Sequence, residues 1–375
     1  MRLIRNEDFT SPTPRLAIEP DSASHEHAPE ILEKLINDAE RAGASDIHLQ
    51  QRGERAEVSF RLDGVMVRIS ELSRESAERV FGRIKYLARL KTYQDSLPQD
   101  GRIDRADLKS RNDIRVATYP AVGGEKIVLR LFNSDSTKTL NDLEFSNDTQ
   151  NQLENFLQQP AGPLLLTGPA GSGKTTTIYA CLKFLATLGG RHVITIEDPA
   201  EQIIPGIMQT EIHEARGLDF AKAARHLLRQ DPQVLVIGEI RDDETANIAV
   251  RAALTGHLVI STLHAGSCRG VLERLSLLCP DHSAVAASVE LILNQRLVRR
   301  LCKNCSGTGC AECVQTGFRG RTPILELLRI DDVSRRKIAT GTLDEISAQP
   351  SLAENARSLI AAGLTNENEI RRVLG

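Results

Sequence analysis

Eight consecutive residues constrain this chain more than any other feature. Gly168, Pro169, Ala170, Gly171, Ser172, Gly173, Lys174 and Thr175 match G-x-x-x-x-G-K-[ST], with Thr176 directly behind them. The run follows the apolar stretch Leu164–Leu166 and opens a helical stretch near Gly173. That is the order a phosphate-binding loop requires: strand, glycine-rich turn, helix N-terminus. Glycines let backbone N–H groups turn inward around phosphate, and the helix dipole favours the anion. Lys174 is expected to reach the β- and γ-phosphates and the Thr175 hydroxyl to hold Mg²⁺. The motif calls for ATP or GTP as ligand and for an α/β fold around it.

The flanking sequence agrees. Leu164–Leu166, Val193–Ile196, Val234–Ile237 and Leu258–Ile260 are apolar without alternation, as strands buried on both faces are. Helical stretches lie between them, which is the grammar of a wound parallel sheet. Two of these runs end in acid, at Glu197-Asp198 and, after Gly238, at Glu239. Parallel strands deliver such residues to the carboxyl edge of the sheet, beside the phosphates. The pair therefore suggests one metal-holding carboxylate and one base for water.

Residues 1–28 are polar and aperiodic and are expected to form a tail. Residues 29–132 alternate short strands with two amphipathic helices, as a small α+β domain does. One of those helices stops at Gly43, a C′ glycine, and the other starts behind a Ser73 cap. A polar linker is expected over 133–145, the P-loop domain over 146–300, and a cysteine-rich and helical subdomain over 301–375. A length of 375 residues accommodates such a plan.

Cys302, Cys305, Cys310 and Cys313 are spaced C-x2-C-x4-C-x2-C. Two such knuckles supply the four thiolates of a tetrahedral structural Zn²⁺. Cys181, Cys268 and Cys279 lack partner spacing and are expected in packing. No apolar run approaches the ~18 residues that span a bilayer, and no signal peptide is visible, so a cytoplasmic location is expected. The net charge of -3, the 3% aromatic content and the absence of Trp argue against a nucleic-acid partner.

With these elements in place the sequence resembles the secretion ATPase family of type II secretion and type IV pilus assembly. The carrying residues are Thr195–Glu201 (TIEDPAE), Leu228–Pro232 (LRQDP), Gly238–Asp242 (GEIRD) and Thr255–His264 (TGHLVISTLH). Ala44–His48 (ASDIH), Leu97–Arg102 (LPQDGR) and Gly124–Lys126 (GEK) carry it in the small domain, and the likeness spans about residues 30–375. The resemblance implies a small α+β domain joined to a RecA-like ATPase domain that carries a tetracysteine zinc knob. It implies a homo-hexamer that hydrolyses ATP with Mg²⁺ and works against a polytopic inner-membrane platform protein. The site of action would be peripheral, at the inner face of the bacterial cytoplasmic membrane.

By the same resemblance Glu197 is the base for the attacking water, and Glu239 serves Mg²⁺ and the γ-phosphate side. His264 would sense the γ-phosphate and His257 would support the site. Arg102 and Arg115 of the small domain would reach the phosphates, with Arg225 and Arg229 acting across a subunit boundary. The tetracysteine element and the ending Gly363–Ile370 (GLTNENEI) resemble assembly-side members rather than retraction motors. The chain also resembles a short form without the long N-terminal docking domain. Ala265-Gly266 stands where the family usually has Thr-Asn. A pilus retraction motor and a nucleic-acid translocase are the competing readings. A non-hydrolysing scaffold is disfavoured because both acids are present.

Overall fold

The computed structural model describes residues 27–108, 110, 113–131 and 138–375. The expected tail, apart from its last two residues, and the linker residues up to 137 lie outside the described residues. The chain divides into two compact units. One runs through Asp135 and takes back Leu301–Gly320; the other comprises Ser136–Arg300 and Arg321–Gly375.

The first unit begins with α1 (Ala28–Ala42), β1 (Asp46–Arg52), β2 (Arg55–Leu62) and β3 (Val65–Ser73). It continues with α2 (Arg74–Leu87), β4 (Gln99–Ile103), α3 (Arg105–Leu108), β5 (Ile114–Ala121) and β6 (Gly124–Leu131). The strands form one six-stranded sheet in the order β3-β2-β1-β6-β5-β4. Every pairing within it is antiparallel. Gly43 ends α1 in the left-handed conformation and Ser73 caps α2 through the Ser76 amide, as the sequence predicts. Leu32, Ile36 and Ala39 of α1 and Val80 and Ile84 of α2 join Ile47, Val58, Phe60 and Leu129 of the strands in one core.

The second unit holds α4 (Asn147–Leu157), β7 (Gly162–Thr167), α5 (Lys174–Leu188), β8 (Val193–Glu197) and β9 (Met208–Glu211). Next come α6 (Phe220–Leu227), β10 (Val234–Ile237), α7 (Asp243–Leu254), β11 (Leu258–Thr262), α8 (Cys268–Leu278) and α9 (His282–Ser288). The strands β12 (Leu291–Leu301) and β13 (Phe318–Arg329) precede α10 (Asp332–Thr340), α11 (Leu352–Ala361) and α12 (Glu367–Leu374). The seven-stranded sheet runs β13-β12-β7-β11-β10-β8-β9, with parallel pairing from β12 through β9.

Its strands lack hydropathic alternation because both faces are covered. Leu165, Ile194, Ile196, Leu235, Ile237 and Val259 pack into a core on one side of the sheet. Leu164, Leu166, Val193, Val234, Val236 and Ile260 pack into a core on the other. Each face buried this way contributes roughly 25 cal/mol per Å² of apolar surface, so the sheet is a rigid base for the loops at its edge.

Candidate nucleotide site

Register fixes which residues share the carboxyl edge of the sheet. Ile196 of β8 pairs with Ile237 of β10, and Ile237 with Ser261 of β11. The next residues outward are Glu197, Gly238-Glu239 and Thr262, while β7 runs out at Thr167 into the P-loop. The two acids therefore lie at the edge where the phosphate loop begins.

The loop has the shape that its glycines allow. Gly168, Gly171 and Gly173 all have positive φ, at 140°, 75° and 94°. At Gly168 a Cβ would lie 2.3 Å from the Gln295 carbonyl oxygen, so only glycine fits against β12 there. Lys174 starts α5, and its Nζ donates to the carbonyls of Gly168 at 2.8 Å and Pro169 at 3.0 Å. Burial, the nearby Arg296 cation and the opposing pull of Glu239 leave the Lys174 ammonium more acidic than usual. Thr175 and Thr176 are exposed in the first turn of α5, as is Pro169-Ala170 ahead of it. The Ser172 hydroxyl is buried without a hydrogen-bond partner, an orphan donor inside the cradle. A glycine-rich turn at a helix N-terminus, a lysine, an exposed threonine and an unpartnered hydroxyl fit a nucleotide phosphate with its Mg²⁺.

The acids differ in their surroundings. Glu197 is buried at 8% exposure, and its oxygens accept from Tyr179, Thr195 and Gln209. Glu239 is more open. It is paired with Arg241, and His264 Nε2 lies 3.4 Å from its Oε2. Arg241 also faces Asp198 and Glu214 and rests over the Phe220 ring. Asp242 is spent on capping α7, accepting from the Thr245 amide at 2.7 Å.

The loop after His264 is fastened to the P-loop strand. The Thr167 hydroxyl donates to the Ala265 carbonyl and accepts from the Ala265 amide, both at 2.9 Å. Asn294 and Arg296 of β12 both donate to the Gly266 carbonyl. Sequence reasoning missed this contribution of β12, and also Tyr179 and Gln209. The available signal was Asn294-Gln295-Arg296, a polar triplet between the apolar residues Leu291–Leu293 and Leu297-Val298.

His257, expected to support the site, stands at the opposite end of β11 from this edge. It precedes β11 at its amino end, where its carbonyl accepts from the Gly162 amide at 3.1 Å. Its Nδ1 pairs with the Ala252 carbonyl and the Thr255 hydroxyl, stitching the turn between α7 and β11.

A family model described as Type II/IV secretion system protein matches residues 21–372. The chain belongs to that family. It is 38% identical over 375 aligned residues to Type II secretion system protein E of Pseudomonas aeruginosa, covering 92% of this chain and 74% of the relative. It is 35% identical to Type II secretion system ATPase E of Vibrio cholerae, covering 93% and 76%. Among solved structures, the Legionella pneumophila ATPase DotB superposes with a TM-score of 0.71 at 22% identity, covering 94% of this chain and 97% of that one. The pilus retraction motor PilT with bound ADP gives 0.64 at 24% identity, covering 90% and 95%. At those identities the likeness shows the fold.

The remaining candidates in this secretion ATPase are carried by other elements. Arg102 of β4 and Arg115 of β5 are register partners in the first unit, and Arg102 is paired with Asp113. Arg225 of α6 pairs with Glu244 at 2.6 Å, and Arg229 is exposed just beyond that helix.

The four cysteines form one cluster in the first unit, with all their sulfurs within 4.8 Å of one another. The Sγ pairs 302–310, 305–313 and 310–313 are separated by 3.8, 3.8 and 3.7 Å. Four ligands at a Zn–S distance of ~2.3 Å require edges of ~3.8 Å, so the cluster fits tetrahedral zinc. The Gly309 amide donates to the Cys305 sulfur, and the amides of Cys310 and Gly317 donate to the Cys313 sulfur. The Asn304 side chain and the Cys313 amide pull the Cys310 thiol down to about 6. Of the other cysteines, Cys181 and Cys268 are fully buried and Cys279 nearly so. Among the described residues no helix is long and apolar enough to cross a membrane.

Proposed function

We propose that this secretion ATPase is a hexameric motor that hydrolyses ATP to drive assembly of a type II secretion pseudopilus or a type IV pilus, including a competence pilus. The observation that carries the catalytic part is the shared edge: Glu197 and Glu239 end neighbouring strands beside the P-loop. Lys174 and the amides of the loop bind the phosphates. Thr175 and Glu239 hold Mg²⁺, which when bound neutralises the charge on the β- and γ-oxygens. Glu197 takes the proton of the attacking water, and His264, already facing Glu239, reports on the γ-phosphate side.

Arg102 and Arg115 of the small domain are the proposed groups that reach the phosphates from that side, and an Arg donor stabilises the charge that spreads over the γ-oxygens. Arg225 and Arg229 are the candidates for charge stabilisation across a subunit boundary. The Cys302–Cys313 cluster carries structural Zn²⁺. The proposed partners are five further copies and a polytopic platform protein at the inner face of the cytoplasmic membrane.

The test is ATP turnover and nucleotide binding measured side by side. Glu197→Gln and Glu239→Gln should bind ATP and lose turnover at least 100-fold, as removal of a base or metal-side carboxylate does. Wild-type turnover in either variant removes that glutamate from the mechanism. Native mass spectrometry with ATP and Mg²⁺ should show a hexamer, and a monomer under those conditions refutes the ring. Strong, salt-sensitive stimulation by DNA would favour the translocase instead.

A further inference from the structure

Tyr179 is buried on α5, the helix that begins with the P-loop lysine. Its hydroxyl joins three pieces of chain. It donates to Glu197 Oε2 at the end of β8. It accepts from the backbone amides of Glu201 at 2.8 Å and Gln202 at 3.2 Å in the loop that follows. A phenol has one proton and two acceptor sites. Because backbone amides can only donate, the phenolic proton has one place to point, the carboxylate. Burial and that same bond push the phenol's own ionisation far upward, so it stays a donor.

The other oxygen of Glu197 is equally occupied. Its Oε1 accepts from the Thr195 hydroxyl at 2.5 Å and from Gln209 Nε2 at 2.9 Å. Gln209 is itself fixed, donating to the Gln202 carbonyl at 2.8 Å and accepting from the Ile204 amide at 2.6 Å. A carboxylate offers about four acceptor sites. Among the described residues three are taken, two on Oε1 and one on Oε2, so the remaining acceptor site is on Oε2, the oxygen that Tyr179 orients.

We propose that Tyr179 is a positioning residue for hydrolysis, holding Glu197 Oε2 in register with the P-loop helix so that its remaining lone pair receives the proton of the attacking water. The proposal rests on the reading of Glu197 as the base. In the step, one water O–H bond breaks and its proton goes to Oε2. The water oxygen bonds to the γ-phosphorus, and the bond to the bridging oxygen breaks to release ADP. Tyr179 keeps its proton throughout. Nucleotide seated on the amino end of α5 and the carboxylate on β8 are thus held by one rigid helix, and a displacement of about 1 Å between them can cost ~100-fold in rate.

The experiment uses the full chain with ATP and Mg²⁺. Tyr179→Phe removes one oxygen and should lower kcat about 10- to 100-fold. KM for ATP and the Kd of a fluorescent ADP analogue should stay within about twofold, since the phosphate-binding groups do not touch the hydroxyl. In a Glu197→Gln background the same change should cost less than about threefold, because two residues acting as a unit are not additive. A purely structural tyrosine would weaken ADP binding, or would multiply its loss in the double variant, and either result overturns the proposal. So does a Tyr179→Phe enzyme of wild-type kcat.

If Tyr179→Phe fails to fold, Tyr179→3-fluorotyrosine preserves the volume. A stronger donor makes Glu197 a weaker base, so kcat should fall at least twofold with ADP affinity constant, and an unchanged kcat overturns the proposal. Glu197→Gln at wild-type turnover would instead remove the base reading itself, whatever Tyr179 does.

Discussion

Glu369 gives the sharpest prediction about stability. It sits on α12 with its side chain at 0% exposure. Oε1 accepts from the Arg299 amide at 2.9 Å and Arg372 Nη2 at 2.5 Å. Oε2 accepts from Arg299 Nε at 2.9 Å and Arg372 Nε at 2.8 Å. Burial alone would push this carboxyl up, but the bonds from Arg372 and Arg299 outweigh it and hold it at about 2, against 4.5 for a free glutamate. At ~1.4 kcal/mol per pH unit, the difference of about 2.5 units corresponds to about 3 kcal/mol of linkage. Since the folded value is depressed, that stability is present above the unfolded value near 4.5 and is lost as pH falls from about 5 toward 2. Glu369→Gln removes at neutral pH the buried charge that Arg299 and Arg372 donate to, and breaking a buried pair by removing one partner costs ~3–5 kcal/mol. The readout is amide hydrogen exchange in α12, because a two-unit chain need not unfold in one step. Protection of Glu367–Leu374 should fall ~100-fold or more in the variant at pH 7. In the wild type, protection corrected for intrinsic exchange should decline between pH 5 and 3. Protection within threefold of wild type in Glu369→Gln, or a pH-independent wild type, would refute the reasoning.

Two further outcomes follow from packing and from the cysteine cluster. Gly168→Ala puts a Cβ 2.3 Å from the Gln295 carbonyl at a φ of 140°, so the loop must move; fluorescent ATP binding should weaken at least ~100-fold, and binding within threefold would show that the loop yields freely. The purified chain should carry one Zn²⁺ by elemental analysis, and Cys310→Ser should lose it and raise hydrogen exchange across Leu301–Gly320 while leaving exchange in the P-loop unchanged. A zinc-free wild type of equal protection would remove the metal.

What the sequence made legible was whatever chemistry ties to neighbouring residues. A phosphate loop must be contiguous, so Gly168 through Thr175 declared itself. Strands buried on both faces must be apolar throughout, so β7, β8, β10 and β11 could be placed and their terminal acids aligned. The groups that decide how those acids behave have no such local mark. Tyr179 lies 18 residues from Glu197 and Gln209 lies 12 from it, and the three stand on different elements, so no periodicity within one element links them. The β12 side of the P-loop is more remote still, with the Thr177 hydroxyl donating to Gln295 across 118 residues. The cysteine segment shows the same limit at domain scale. Its chain neighbours belong to the second unit, yet Val314 packs into the core of the first and the Gly320 amide donates to Asp63 at 2.8 Å.

The two histidines of the Thr255–His264 segment are separated on physical grounds. His257 and His264 flank β11, and five strand residues at ~3.3 Å each separate their ends by ~17 Å. Two residues at opposite ends of a single buried strand cannot serve one edge of the same sheet. Reading Leu258–Ile260 as a strand puts His264 and not His257 at the end where β10 delivers Glu239, and His264 Nε2 lies 3.4 Å from Glu239 Oε2.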